Sequence, residues 1–158
     1  MKDVDFSPEL VLFHPAAAAR EDLLRLAAAT LLAQGYVRPS FEEALLERER
    51  NYPTGLPMEE INAAIPHADA KHVERSSILV CIMKDDVFFR NMADVEEELP
   101  VRIVFVLALA DAKKHLSLLQ ELMTCLQDAK LTRSLLEASD GTAVFDIVQS
   151  RIFAAMAT

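Results

Sequence analysis

Tryptophan is absent from this 158-residue chain, glycine occurs three times and cysteine twice. Gly35, Gly55 and Gly141 stand singly and form neither GxGxxG nor GxxxxGK[ST], so nucleotide binding through a phosphate-cradling loop is disfavoured. Cys81 and Cys125 lie in apolar segments without CxxC spacing, a pattern of buried thiols in a reducing compartment rather than a zinc site or a disulfide framework. Positive charge is also scarce: 16 Lys and Arg face 25 Asp and Glu, the net charge is −9, and no basic run exceeds Lys113-Lys114. Nucleic acids and anionic membranes draw affinity from clustered positive charge, which leaves a basic protein partner, or plain solubility, as the use of an acidic surface. Apolar runs such as Ile103 to Ala110 fall far short of the ~20 residues that span a bilayer, and Met1-Lys2-Asp3-Val4-Asp5 has neither the basic start nor the apolar middle of a signal peptide. A cytoplasmic protein without direct membrane insertion is expected.

What is present is an ordinary globular composition, 52% hydrophobic and 26% charged. A single domain over 1–158 is expected, long enough to bury roughly 70% of its unfolded surface. Leu10 to Phe13 reads as a strand closed by His14-Pro15, and Ala16 to Gln34 as a helix stopped by Gly35. Ser40 followed by Glu43 forms a capping box for a second helix that carries Arg48-Glu49-Arg50 toward Thr54-Gly55. Pro53 to Glu60 is turn-like. Ile61 to Ile65 and the continuous apolar run Ser77 to Met83 read as strands, the latter covered on both faces. Asp85 to Glu98 reads as a polar excursion with a short helical turn around Phe88 to Met92, followed by the strand Val101 to Leu109. The spacing Leu116, Leu119, Leu122, Met123, Leu126 predicts an amphipathic helix with His115 in its first turn, and two more helices follow, Lys130 to Glu137 and Ala143 to Ala155. The order β-α-α-β-β-β-α-α-α implies an α/β fold of three layers, a mixed sheet flanked by helices on both faces.

The chemistry-bearing stretch is Ile65-Pro66-His67. Pro66 has no N–H and a fixed φ, so a strand arriving through Ala63 ends there and delivers His67 to the sheet's end. A histidine with the ordinary pKa of ~6.5 keeps a neutral nucleophilic ring near pH 7. His67, Asp69 and His72 form H-x-D-x-x-H, but in extended chain the offsets put the two histidines on opposite faces, and no metal site is read there. Asp69 is instead a candidate to bond a neighbouring backbone group or the unreactive nitrogen of His67. Phe88, Phe89 and Met92 read either as an exposed apolar patch or as core. No GxSxG elbow supports a hydrolase triad.

Ile65-Pro66-His67, with Arg48-Glu49 and Thr54-Gly55 before it and His115-Leu116 after it, resembles the IIA component of the bacterial phosphotransferase sugar-uptake system, in the mannitol/fructose superfamily. Tyr52-Pro53-Thr54-Gly55-Leu56 and Ala68-Asp69-Ala70-Lys71-His72-Val73 are similar to the galactitol-type branch, and the likeness runs from about Phe13 to about Phe153. The resemblance implies that His67 is phosphorylated, with His115 as a second histidine beside it and no cofactor. Phosphoryl transfer rests on positioning and charge stabilisation, which makes Arg48 the candidate catalytic cation and Thr54, Gly55 and Asp69 candidate phosphate-binding residues; Thr54-Gly55 also reads as a plain turn. The implied route is from a phosphorylated HPr-like carrier protein to His67, then to a cysteine of a IIB component that feeds a membrane IIC permease for galactitol or a related polyol. The alternative is a regulatory module of the nitrogen-related branch.

Overall fold

The computed structural model describes residues 3–111 and 113–154. Two long antiparallel strands, β4 (Ser77–Asn91) and β5 (Asp94–Ala108), form its spine. Alternation along them splits the core in two. Leu79, Cys81 and Met83 face a layer built from α1 (Arg20–Ala33) and α2 (Phe41–Asn51), among Leu23, Leu31, Phe41 and Leu45. Ile78, Val80 and Ile82 face the opposite layer of α3 (Leu116–Leu126), α4 (Ala129–Glu137) and α5 (Gly141–Val148), among Leu122, Leu135 and Val148. The sheet is therefore covered on both faces, the three-layer arrangement that the apolar run at Ser77 to Met83 called for.

Among the described residues the sheet has five strands. β1 (Val11–Phe13) lies parallel to β4, and two very short strands, β2 (Gly55–Leu56) and β3 (Ala63–Ala64), sit between the far ends of the hairpin. β3 runs parallel to β5 with Ala63 opposite Ile103, while β2 reaches β4 at Asn91. Gly55 is needed at that point of contact, because a Cβ there would stand 2.5 Å from the Arg90 carbonyl oxygen.

Several expectations are corrected. The segment Asp85 to Glu98 is neither an excursion nor helical: both strands run on to a tight turn, with Phe89 paired with Leu99 and Val87 with Val101, all four buried. The run of acidic residues Glu96 to Glu98 hid a strand whose side chains are simply exposed on the arm. The turn itself is closed by the Asn91 side chain, which accepts from the Ala93 N–H at 2.8 Å. Phe88 and Met92 are about half exposed while Phe89 is wholly buried, so the two readings of that trio divide by residue. The capping box at Ser40 does not form. Ser40 has helical backbone angles, and its hydroxyl pairs with His72 Nδ1 at 2.8 Å instead of capping α2. α1 starts at Arg20 rather than Ala16, since alanine supplies no capping oxygen to fix a start. α5 begins at Gly141 behind an Asp140 cap and continues as a π-turn over Gln149–Phe153; the expected last residue, Ala155, lies outside the described residues. Both cysteines are free and buried, and burial pushes the Cys81 thiol far up and that of Cys125 to about 11. Among the described residues no helix is long and apolar enough to cross a membrane.

Candidate functional site

β3 ends where Pro66 interrupts it, but its direction is kept by one more contact, the Leu107 N–H donating to the Pro66 carbonyl at 2.9 Å. His67 thereby lies opposite Leu107, at the carboxyl end of the parallel pair β3–β5, where α/β sheets present their binding crevices. Its ring is half-buried, and Nδ1 is 3.0 Å from the Ile65 carbonyl oxygen. A carbonyl only accepts, so Nδ1 carries the proton and the neutral ring keeps its lone pair on Nε2. The partner that fixes this tautomer is the Ile65 carbonyl and not Asp69.

His67 opens onto a cleft of about 330 Å³ whose floor is apolar, with Leu107, Leu119, Leu122 and Met123, and whose rim holds Arg48 and Asp69. Arg48 comes from the last turn of α2. Its Nη1 is 3.3 Å from Asp69 Oδ1, its guanidinium lies 5.0 Å above the Tyr52 ring, and its Nε is buried without a partner. The cation is thus held at the rim by an exposed carboxylate and an aromatic face. Both Arg48 and Asp69 also line a second depression of about 300 Å³, shared with Lys71 and His72.

The remaining expected residues lie elsewhere. Thr54 is buried and committed: its N–H and hydroxyl donate to the two oxygens of Glu49 at 2.8 and 2.7 Å. Gly55 is paired in β2 against β4. His115 stands immediately before α3 with no side-chain bond to its N-terminus, is 2% exposed, and lines a separate depression with Asp3, Asp5, Arg75 and Lys114 rather than the His67 cleft. Its Nδ1 is buried with no partner, and desolvation, only partly opposed by Asp3, lowers its pKa. Glu49 is the residue that sequence reasoning passed over. It follows Phe41 and Leu45 at four-residue intervals, so a carboxylate on the buried stripe of α2 was the available signal. Burial raises its pKa to about 7 against the opposing effects of the Thr54 hydrogen bonds and of Arg20 and Arg90.

The model of the family described as "Phosphoenolpyruvate-dependent sugar phosphotransferase system, EIIA 2" matches residues 6–151. The chain belongs to this family. As an EIIA 2 protein it is a phosphoryl-transfer component of that system. It is 31% identical over 117 residues to the galactitol-specific EIIA component of Escherichia coli (strain K12), covering 74% of this chain and 77% of that protein. It is 28% identical over 146 residues to the mannitol-specific EIICBA component of the same strain, covering 90% of this chain and 22% of that much longer protein. Among solved structures, enzyme IIA of the mannitol system from Escherichia coli, in complex with phosphorylated enzyme IIB, shares the fold with a TM-score of 0.76 at 24% identity, covering 94% of this chain and 99% of that one. Nitrogen regulatory protein IIA-Ntr from Neisseria meningitidis shares it with a TM-score of 0.68 at 20% identity, over 90% and 94% of the two chains.

Proposed function

We propose that this EIIA 2 protein is a cytoplasmic phosphocarrier in which His67 Nε2 takes a phosphoryl group from a phosphorylated HPr-like carrier and passes it to a cysteine of a IIB component serving a membrane IIC permease. The observation that carries the reading is the Nδ1–H bond to the Ile65 carbonyl, which leaves Nε2 as the nucleophile at the mouth of the cleft. In the accepting step a P–N bond forms at Nε2 as the P–N bond of the donor phosphohistidine breaks, its electron pair returning to the donor ring. The Nδ1 proton stays in place, and the positive character that the ring gains strengthens its bond to the carbonyl. Arg48, whose guanidinium stands at the rim of the cleft, is the cation that meets the equatorial oxygens, and Asp69 holds it there between turnovers. Thr54 and Gly55 serve by shaping the loop beneath the site. The complex of the mannitol-system relative with phosphorylated enzyme IIB supports the second partner, and the galactitol-specific relative supports a polyol of that kind as the sugar served.

The test is incubation with phosphoenolpyruvate, enzyme I and the carrier protein, followed by intact-mass measurement. One acid-labile phosphoryl group is expected on the wild type and none on His67→Ala. Phosphorylation that survives in the variant would overturn the assignment.

A further inference from the structure

Glu49 does not line the His67 cleft, yet a line of hydrogen bonds runs from it to the reacting ring. The Glu49 carboxylate accepts from Thr54 N at 2.8 Å and from Thr54 Oγ1 at 2.7 Å. The Thr54 carbonyl accepts from Ile65 N at 3.3 Å, and the Ile65 carbonyl accepts from His67 Nδ1 at 3.0 Å. Beyond these bonds the segment is held by short strand pairings only, β2 with β3 and with β4 at Asn91, and β3 with β5. Tyr52, which ends α2, has non-helical backbone angles, and β2 and β3 are two residues each. Two short bonds from Thr54, one from its backbone N–H and one from its hydroxyl, to a single buried side chain fix the start of that loop. Burying that carboxylate is costly, and a loop needed only as a connector would be served by a neutral residue on the Phe41–Leu45 stripe.

We propose that Glu49 is a positioning residue for phosphoryl transfer, holding through Thr54 and Ile65 the Nδ1–H tautomer of His67 that leaves Nε2 free to attack. The inference rests on His67 being the acceptor and adds what keeps it poised. Without the anchor the Ile65 carbonyl loses its fixed place, both tautomers become populated, and Nε2 loses its alignment with the incoming phosphorus.

Nitrogen-15 spectra of the histidine rings of the unphosphorylated full chain read the tautomer directly, and transfer from the phosphorylated carrier reads the consequence. In Glu49→Ala the His67 Nδ1 signal should leave the N–H range, and transfer should slow roughly ten- to a hundredfold through misalignment. Glu49→Gln can accept from Thr54 N and donate to Thr54 Oγ1, and should restore both readouts. Thr54→Val, which deletes one of the two bonds and keeps the side-chain shape, should lie between and serves if the alanine variant does not fold. An unchanged His67 tautomer in a folded Glu49→Ala or in Thr54→Val overturns the proposal even if His67 proves to be the phosphorylated residue. Phosphorylation persisting in His67→Ala would instead overturn the acceptor assignment on which the proposal depends, leaving the tautomer measurement interpretable.

Discussion

His67 follows a strand and stands half-buried with Nδ1 given to a carbonyl, whereas His115 stands just before a helix without capping it and is nearly inaccessible with an Nδ1 that meets no partner. The two share a side chain and differ in everything that makes it usable. One nitrogen of His67 is committed, so the other has a defined lone pair at the mouth of a cleft. Desolvation of His115 disfavours its charged form and leaves an unsatisfied nitrogen, a cost of about 1–3 kcal/mol for a buried polar group. The fold gives the Nδ1 of His67 a carbonyl partner and leaves that of His115 without one.

The sharpest way to break this comparison is to exchange the losses. His67→Ala should abolish phosphorylation by the carrier, and His115→Ala should transfer at close to the wild-type rate with its fold intact by circular dichroism. A fall of about a hundredfold in the second variant, the size expected for a lost electrostatic donor, would return His115 to the chemistry that family resemblance implies for it.

Behind His67 lies a second buried titrating group, Glu49, and its pH signature is opposite to that of His115. Its folded pKa is raised from 4.5 to about 7, so the folded chain binds the extra proton. The stability this contributes is fully present below pH 4.5 and is lost as pH rises through about 7. Glu49→Gln removes the titration. Its stability relative to wild type should therefore rise across that window by on the order of 3 kcal/mol, measured by urea unfolding at several pH values. A constant difference would mean that the carboxyl titrates normally.

Arg48→Ala should slow transfer by roughly a hundredfold while leaving the unfolding midpoint nearly unmoved, because its pairing with Asp69 is an exposed one. Wild-type transfer would make Arg48 a solvated helix end. The smallest effect expected is on acid stability. With the His115 pKa lowered in the folded state, stability present above its ordinary value of ~6.5 is lost as pH falls. His115→Phe, which removes the titrating ring nitrogens, should move the midpoint of acid unfolding to lower pH; a midpoint that stays put would mean that the ring is hydrated.

The legible part of the molecule was set by patterns of long range in the sequence. The continuous apolar run at Ser77 to Met83 announced a strand covered twice, and Pro66 announced where the strand before His67 must stop. The illegible parts turn on partners distant in sequence. Val87 and Phe89 read as strand only once Val101 and Leu99 lie opposite them, and the acidic run between masked the pairing. Ser40 prefers His72, 32 residues away, to its own helix. Asp69 lies two residues from His67 yet turns to Arg48, 21 positions upstream, because the backbone had already satisfied the ring. Glu49 looked like one charge in a solvated Arg/Glu run, and only the fold puts it on the buried side of α2 with Thr54 as its partner.

The two buried cysteines bear on the fate of the phosphoryl group. In the proposed route the group leaves a histidine for a thiolate, and a thiol inside the carrier that could compete would drain it before the partner arrived. Cys81 is fully enclosed in the sheet with its thiol held protonated, and Cys125, on α3 and pushed to about 11, is buried against the π-turn at Arg151. Neither presents a thiolate near neutral pH, when attack on phosphorus requires one. Under the proposed route the chain is thereby insulated against its own chemistry: a phosphoryl group carried on His67 would meet a thiolate acceptor only on another molecule.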